Sequence, residues 1–218
     1  MSSNFIHPTA IIEDGALIGQ NNFIGPYCYI TSNSTIGNDN RLEAFVCIGT
    51  PAEHKNILRL GQRGKRTVIG HNNIIREYVT IHAGFEKDTI IGDDNTIQRN
   101  SHIGHDAVIK DNTTLSCNTI VAGHVIVEDG ANMGLGSITH QFTQLPPYSM
   151  LGMGTIVTKK SIIEPFSIYV GNPARFLKIN KVGIQRNNLS NRYIKRTIQE
   201  WEIINSLESK IKEELYAL

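Results

Sequence analysis

Aliphatic residues recur at every sixth position along most of the chain. The repeat runs unbroken through residues 6–48, 69–81 and 91–133, and after Thr139 it continues through residues 145–163. An amphipathic helix would need a period of about 3.6 residues, and a half-buried strand a period of two. A period of six over so long a stretch fits neither. The 32 isoleucines and 20 asparagines favour many short strands joined by tight turns.

The six-residue repeat resembles that of the left-handed parallel β-helices. In that fold three hexads form one triangular coil, the aliphatic side chain points into the prism, and stacked coils share one core. We therefore predict an all-β, left-handed parallel β-helix over residues 1–170 and a mostly helical C-terminal extension over residues 171–218. Apolar residues recur every three or four positions within residues 189–218, which predicts a helix. We expect this helix to cover the open strand edges at the end of the β-helix.

The period is interrupted twice. Relative to a multiple of six, three extra residues lie between Ile48 and Ile69, and four lie between Ile81 and Ile91. Each interruption predicts a loop that leaves the prism. The cations of the first loop would suit an acidic carrier protein or the phosphates of coenzyme A, and a solvated surface loop is the alternative. These cations are Lys55, Arg59, Arg63, Lys65 and Arg66.

Charge and composition exclude several classes of protein. The chain has 21 Lys and Arg against 20 Asp and Glu, a formal charge of +1, so we expect no nucleic-acid partner. No apolar run approaches roughly 18 residues, the length that spans a bilayer, and the N-terminus lacks the pattern of an export signal. The three cysteines show no close spacing, which argues against a disulfide framework. We predict a cytoplasmic protein without stable membrane insertion.

Histidines cluster at one corner of the predicted prism. If every third hexad falls on the same corner, one column of inward residues consists of Ile48, Ile81, Ile103, Val121, Thr139 and Val157. Both loops leave the prism directly after members of this column. Five of the eight histidines lie within three residues of it: His82, His102, His105, His124 and His140. The sequence therefore predicts a functional site at this corner.

General-base catalysis is the chemistry that best fits these residue types. A neutral imidazole can take the proton from a hydroxyl or amine that attacks an acyl carbonyl, and a carboxylate can orient that imidazole. His105 and Asp106 supply both groups, and the backbone N–H of Gly123 could face a developing oxyanion. No Ser or Cys beside a histidine lies in a nucleophile motif, which favours direct transfer. A zinc site built from the histidines and Asp106 is the alternative.

The segment HIGHDAVIKDNTTLSCNTIVAGHV, followed by THQF, resembles the UDP-N-acetylglucosamine O-acyltransferase family. The resemblance extends over residues 6–188, from IHPTAII through REYVTIHAG to GNPARFLKINKVGIQRN. Members move an (R)-3-hydroxyacyl group from acyl carrier protein to the sugar and begin lipid A biosynthesis. The resemblance implies an acyltransferase with acyl carrier protein and a nucleotide sugar as partners and no bound cofactor. It also implies a homotrimer with active sites between subunits.

Carried over onto this chain, the resemblance makes His105 the general base, Asp106 its partner and Gly123 the residue whose amide faces the oxyanion. Residues implied to contact the sugar, the phosphopantetheine arm or the nucleotide are His82, His102, His124, His140, Gln141, Asn180 and Arg186. Met153 matches the residue that limits acyl-chain length and implies a preference for chains of about ten carbons or fewer. The alternative is that Met153 simply fills the core.

The chain departs from the family pattern at Ala83 and Asn187, where arginine is usual, and at Val182, where an acidic residue is usual. Glu53 is the nearest candidate for the acidic sugar contact. The acceptor atom can be a hydroxyl oxygen or an amine nitrogen. The donor can be acyl carrier protein or a coenzyme A thioester, as in nucleotide-sugar N-acetyltransferases. A zinc-dependent hydratase or a non-catalytic scaffold is the alternative from another class.

Overall fold

Short strands from successive hexads stack into three sheets, which form the sides of a parallel β-helix. The computed structural model describes residues 3–55 and 64–216, the side chains of residues 207–216 excepted. In each coil the chain passes from sheet A through sheet B to sheet C. We call the turns between them the AB, BC and CA corners. The hexapeptide β-helix predicted from the period is therefore confirmed.

From β1 to β23 each sheet takes every third strand, and β24 and β25 extend sheet A. Sheet A contains β1 (Phe5–Ile6), β4 (Phe23–Ile24), β7 (Arg41–Leu42), β10 (Ile74–Ile75), β13 (Thr96–Ile97), β16 (Thr114–Leu115), β19 (Asn132–Met133), β22 (Met150–Leu151), β24 (Ser167–Val170) and β25 (Arg175–Ile179). Sheet B contains β2 (Ile11–Ile12), β5 (Tyr29–Ile30), β8 (Cys47–Thr50), β11 (Thr80–His82), β14 (His102–Ile103), β17 (Ile120–Val121), β20 (Ile138–Thr139) and β23 (Ile156–Val157). Sheet C contains β3 (Leu17–Ile18), β6 (Ser34–Ile36), β9 (Thr67–Ile69), β12 (Thr89–Ile91), β15 (Val108–Ile109), β18 (Ile126–Val127) and β21 (Gln144–Leu145).

The repeated aliphatic side chains form the core, and their register aligns the coils. From Ile24 onward nearly all of them are completely buried, because each faces the prism interior beneath the next coil. In sheet B, Ile48 is paired with Ile81, which in turn is paired with Ile103. The pairing continues through Val121 and Thr139 to Val157. The column predicted from the period is therefore confirmed.

Both interruptions of the period fall at the BC corner. The first loop, residues 51–66, joins β8 to β9, and the second loop, residues 83–88, joins β11 to β12. The register between β11 and β8 shifts at His82, as at a β-bulge, where the second loop begins. Arg59 and Arg63 of the first loop lie outside the described residues. Coils above and below the loops keep their register, so the loops leave the core intact.

The C-terminal extension contains a strand and two helices. Strand β25 pairs antiparallel with β24, α1 spans Lys181–Arg186, and α2 spans Asn191–Tyr216. The helix predicted over residues 189–218 is thus present, whereas β25 and α1 were not predicted, because their sequence shows neither a six-residue nor a helical period. Among the described residues, no helix is both long enough and apolar enough to span a membrane.

Helix α2 lies beside the last coils of the β-helix. Tyr193 of α2 contacts Tyr148 and Phe166 edge-on, and Trp201 lines a cleft of about 310 Å³ with Ile126 on the outer face of sheet C. In sheets A and B the strands at that end are paired with β25 and with residues 171–174, whose backbone bonds to β23. Backbone pairing satisfies an open edge better than a helix face can, because it supplies N–H and C=O partners.

Candidate active site

The BC corner brings the predicted histidines together. His82 and His102 lie with ring centroids 4.7 Å apart, and His105 and His124 lie 5.2 Å apart, each pair edge to face. The register of sheet B places these pairs on successive coils, so residues far apart in sequence become neighbours. His140 follows β20 at the same corner, and its Nδ1 lies 2.9 Å from the backbone oxygen of Gln141. Both His140 and Gln141 are exposed.

Asp106 is the buried charge of the site. Its side chain is inaccessible to solvent, and its backbone adopts the left-handed conformation at φ 61°, which Asp tolerates better than most residues. Its carboxylate accepts the backbone N–H groups of Phe85, Glu86 and Lys87 at 2.6–3.1 Å. Burial opposes ionisation, but these amides and the His105 imidazole hold the pKa of Asp106 below its usual value. The carboxylate is therefore an acceptor at neutral pH.

His105 is oriented by that carboxylate. Its Nδ1 lies 2.6 Å from Asp106 Oδ2, and because an ionised carboxylate can only accept, Nδ1 carries the proton. This tautomer leaves Nε2 with its lone pair, as a general base requires. His124 Nε2 lies 3.6 Å from the same Oδ2. The His124 ring stacks on Phe142 with ring centroids 4.3 Å apart. Asp106 thus has an imidazole on either side.

Gly123 lies against the free side of His105. A Cβ atom at Gly123 would lie 2.9 Å from both Cε1 and Nε2 of the imidazole, closer than carbon atoms normally approach. The absence of a side chain therefore lets the backbone reach the atom that would take the proton. Within the described part of the chain, the Gly123 N–H donates no hydrogen bond. A developing oxyanion could accept from it.

A second group of polar side chains lies one coil away. Burial, with the neighbouring His102, lowers the pKa of His82 to about 4, and burial also lowers the pKa of His102. His102 Nδ1 lies 2.8 Å from the Thr80 hydroxyl, whereas His82 Nδ1 is buried without a hydrogen-bond partner among the described residues. The ligand-type atoms of Glu53, His82 and His102 lie within 4.8 Å of one another. Two neutral imidazoles and a carboxylate form a site that can bind hydroxyl groups.

His54 and Phe85 also belong to this corner, although no sequence pattern distinguishes them. His54 of the first loop stacks on Phe85 of the second loop at 4.0 Å, and both rings lie 6.3 Å from His105 at 82°. Phe142 likewise lies against His124. The available signal was position alone, since His54 and Phe85 occur in the two segments that interrupt the period.

Three predicted residues lie at other corners of this chain. Asn180 begins α1 at the CA corner, where its side chain accepts the Gly183 N–H and donates to the Tyr148 carbonyl. Arg186 ends the same helix and is exposed. Met153 lies at the AB corner with 75% of its surface exposed, so the alternative that it fills the core is wrong. One chain therefore does not bring these residues to the histidines.

Two groups of side chains could hold a metal ion. They are Glu53 with His82 and His102, and Asp106 with His105 and His124, each with donor atoms within 4.8 Å of one another. Zinc takes such ligands at about 2.0–2.2 Å. The Asp106 group fits poorly, because its carboxylate is already occupied by three amides and an imidazole N–H. The Glu53 group is the better candidate.

Comparisons with known proteins agree with this architecture. The family model described as bacterial transferase hexapeptide (six repeats) matches residues 15–50 and 88–123. The acyl-[acyl-carrier-protein]--UDP-N-acetylglucosamine O-acyltransferase of Rickettsia bellii is 35% identical over 127 residues, covering 49% of this chain and 44% of that protein. That protein's relative from Rickettsia canadensis is 32% identical over 127 residues, covering 49% of this chain and 47% of that protein. The matches thus cover less than half of these relatives' own length.

Solved structures match over more of the chain. The structure of LpxA, a UDP-N-acetylglucosamine acyltransferase from Bacteroides fragilis, is 29% identical with a TM-score of 0.72, covering 92% of this chain and 84% of that one. LpxA from Moraxella catarrhalis is 29% identical with a TM-score of 0.70, covering 97% and 93%. The repeat, the histidine corner and these similarities agree. The chain is therefore similar to bacterial hexapeptide transferases in its repeats and to LpxA-like UDP-N-acetylglucosamine O-acyltransferases in its fold.

Proposed function

We propose that this protein is an acyltransferase that moves an (R)-3-hydroxyacyl or similar group from acyl carrier protein onto position 3 of a UDP-amino sugar. The observation that carries the proposal is the alignment of Asp106, His105 and Gly123. An ionised carboxylate holds Nδ1–H, Nε2 is left as the base, and a backbone N–H lies beside it without a partner among the described residues. This is the set of groups that acyl transfer without a covalent intermediate requires.

In the proposed reaction the acceptor oxygen or nitrogen attacks the thioester carbonyl while His105 Nε2 takes its proton. The carbonyl oxygen becomes an oxyanion, which the Gly123 N–H stabilises. As the tetrahedral adduct collapses, the C–S bond breaks and the departing thiolate receives the proton from His105. Asp106 stays ionised throughout and stabilises the transient imidazolium.

The acceptor sugar is proposed to lie against Glu53, His82 and His102. The lowered pKa values of both histidines keep them neutral, so they can accept or donate to sugar hydroxyls at neutral pH. His124, with His140 and Gln141 beyond it, would line the path of the phosphopantetheine arm. UDP-N-acetylglucosamine and its 3-amino analogue both fit, since an attacking amine must also lose a proton.

An apolar strip leads away from His102 and suits an acyl chain. On the outer face of sheet B, His102 is followed coil by coil by Ile120, Ile138 and Ile156. With strands about 4.8 Å apart, the strip is about 14 Å long. Met153 lies at the neighbouring AB corner, three residues before Ile156, and would end the groove once a second subunit covers it.

We propose that the functional unit is a homotrimer. A convex corner cannot exclude water by itself, and Asn180 and Arg186 lie at a different corner from the histidines, so a neighbouring subunit would supply the facing wall and the nucleotide contacts. Light scattering at assay concentration should give three times the chain mass. A monomer that remains fully active would refute the shared site.

The proposal is tested by incubating the protein with acyl carrier protein and coenzyme A thioesters against a panel of nucleotide sugars, with products read by mass spectrometry. A product of the expected mass with UDP-N-acetylglucosamine or its 3-amino analogue supports the proposal. The donor comparison also separates it from acetyl-coenzyme A-dependent N-acetyl transfer. Elemental analysis of the purified protein tests the zinc-dependent hydratase alternative. Stoichiometric zinc would support that alternative, and Glu53, His82 and His102 are the group that could hold the ion.

A further inference from the structure

The two loops of the BC corner are joined to each other at their bases. The Ala83 N–H donates to the Thr50 carbonyl at 2.8 Å, and the Lys65 N–H donates to the Gly84 carbonyl at 2.7 Å. The Arg66 guanidinium pairs with Asp88 at 2.8 Å. Residues at both ends of the first loop therefore bind the second loop.

The second loop also determines the surroundings of Asp106. Its three consecutive N–H groups, from Phe85, Glu86 and Lys87, all point at the Asp106 carboxylate, which in turn binds His105 Nδ1. One carboxylate thus serves both the loop and the imidazole. If the loop moved away, Asp106 would lose three charge-assisted hydrogen bonds and its fixed orientation.

A ring stack fixes the second loop at this point. His54 from the first loop covers Phe85 with ring centroids 4.0 Å apart and planes 18° apart. Phe85 is also the first of the three consecutive loop residues whose N–H groups donate to Asp106. The stack therefore acts directly on the residue that begins the amide cradle.

We propose that His54 and Phe85 are positioning residues, whose stack holds the second loop against Asp106 and thereby fixes the imidazole of His105. The inference rests on the proposed function for its kinetic consequence alone, since the orientation of His105 can be measured without substrate. Ring pairs of this kind contribute about a two- to tenfold bias between bound and released conformations. Loss of the stack should lower the ratio of the bound to the released conformation of the loop by that factor.

Kinetics give the first test. His54→Ala and Phe85→Ala should lower kcat by at most about tenfold while leaving KM for the nucleotide sugar within about twofold. His54→Phe should restore kcat, because a phenyl ring also stacks. Tyr27→Ala is the matched control, since it removes a ring that stacks on Phe45 at the AB corner at 5.0 Å. Tyr27→Ala should leave kcat unchanged.

Nitrogen-15 histidine labelling without substrate gives the second test. The Nδ1–H proton shared by His105 and Asp106 should give a downfield signal, which the His105→Gln variant identifies by its loss. The signal should be broadened by solvent exchange in His54→Ala and restored in His54→Phe.

Two outcomes overturn the inference: an unchanged signal and unchanged kcat in His54→Ala, or a defect in His54→Phe equal to that of His54→Ala. A wild-type protein without acyl transfer would refute the proposed function, whereas the Nδ1–H signal would still decide the positioning role.

Discussion

Replacing Gly123 by alanine tests the geometry of the base most directly. The new methyl carbon would lie 2.9 Å from Cε1 and Nε2 of His105, whereas carbon contacts settle at about 3.5–4.0 Å. The imidazole must therefore move by about 0.6–1.1 Å, because Gly123 is part of the backbone of a stacked coil. His105 Nδ1 is held at 2.6 Å by Asp106, so this displacement also lengthens or bends that hydrogen bond.

A misplacement of about 1 Å costs roughly a hundredfold in rate, so we expect kcat of Gly123→Ala to fall about 10²-fold. The substitution keeps the Gly123 N–H, so the loss measures the position of the base. Gly152→Ala is the matched control, since its Cβ would press on the Val170 side chain at 2.8 Å, at the AB corner. Initial rates and thermal unfolding of both variants provide the measurement. Retention of kcat within about twofold in a folded Gly123→Ala variant would refute the geometry.

Three further predictions concern neighbouring positions. His105→Ala should fold normally, because its side chain lies outside the prism core, and should lose at least about a hundredfold in kcat with a saturating acceptor; near-normal turnover would exclude it as the base. Met153→Gly should shift the donor preference beyond about ten carbons in competition assays, each added CH₂ gaining about 0.8 kcal/mol of burial, and an unchanged profile would mean that the chain does not pass Met153. The folded pKa of His82 lies below that of the unfolded chain, so the unfolded state binds more protons between pH 6.5 and about 4. Lowering the pH through this window should therefore reduce the free energy of unfolding of the wild type by about 3 kcal/mol more than that of the His82→Asn variant, as measured by urea titration. Parallel pH dependences of the two proteins would contradict the assignment.

The six-residue period predicted the core and the histidine corner because register is transmitted from coil to coil. Each inward aliphatic residue is paired with the next in its sheet, so counting by eighteen from Ile103 to Val121 identifies true neighbours. The same counting brings Gly123 beside His105, and His124 follows it directly. Where the repeat holds, the position of a residue within it is enough to predict the neighbours of its side chain.

The contacts that the sequence did not predict lie where the repeat fails. The stack of His54 on Phe85 depends on how two irregular loops fold against each other, and no periodic signal describes that. The role of Asn180 in capping α1 was hidden because the six residues of α1, KVGIQR, are too few to show a helical period. The exposure of Met153 follows from its place at a corner between β22 and β23, two residues after the inward Leu151.

The irregular second loop is what makes a buried carboxylate possible at this corner. In uninterrupted coils the corner amides are already used between coils: the Asn118 N–H donates to the Arg99 carbonyl at 3.0 Å, and the His124 N–H donates to the His105 carbonyl at 3.0 Å. A regular hexad therefore has few N–H groups to spare for a buried charge, whose desolvation is costly without several donors. The inserted residues supply three at once, from Phe85 to Lys87. The proposed base and its carboxylate accordingly lie beside the interruption of the repeat, where the inserted residues provide the donors that an ionised Asp106 needs.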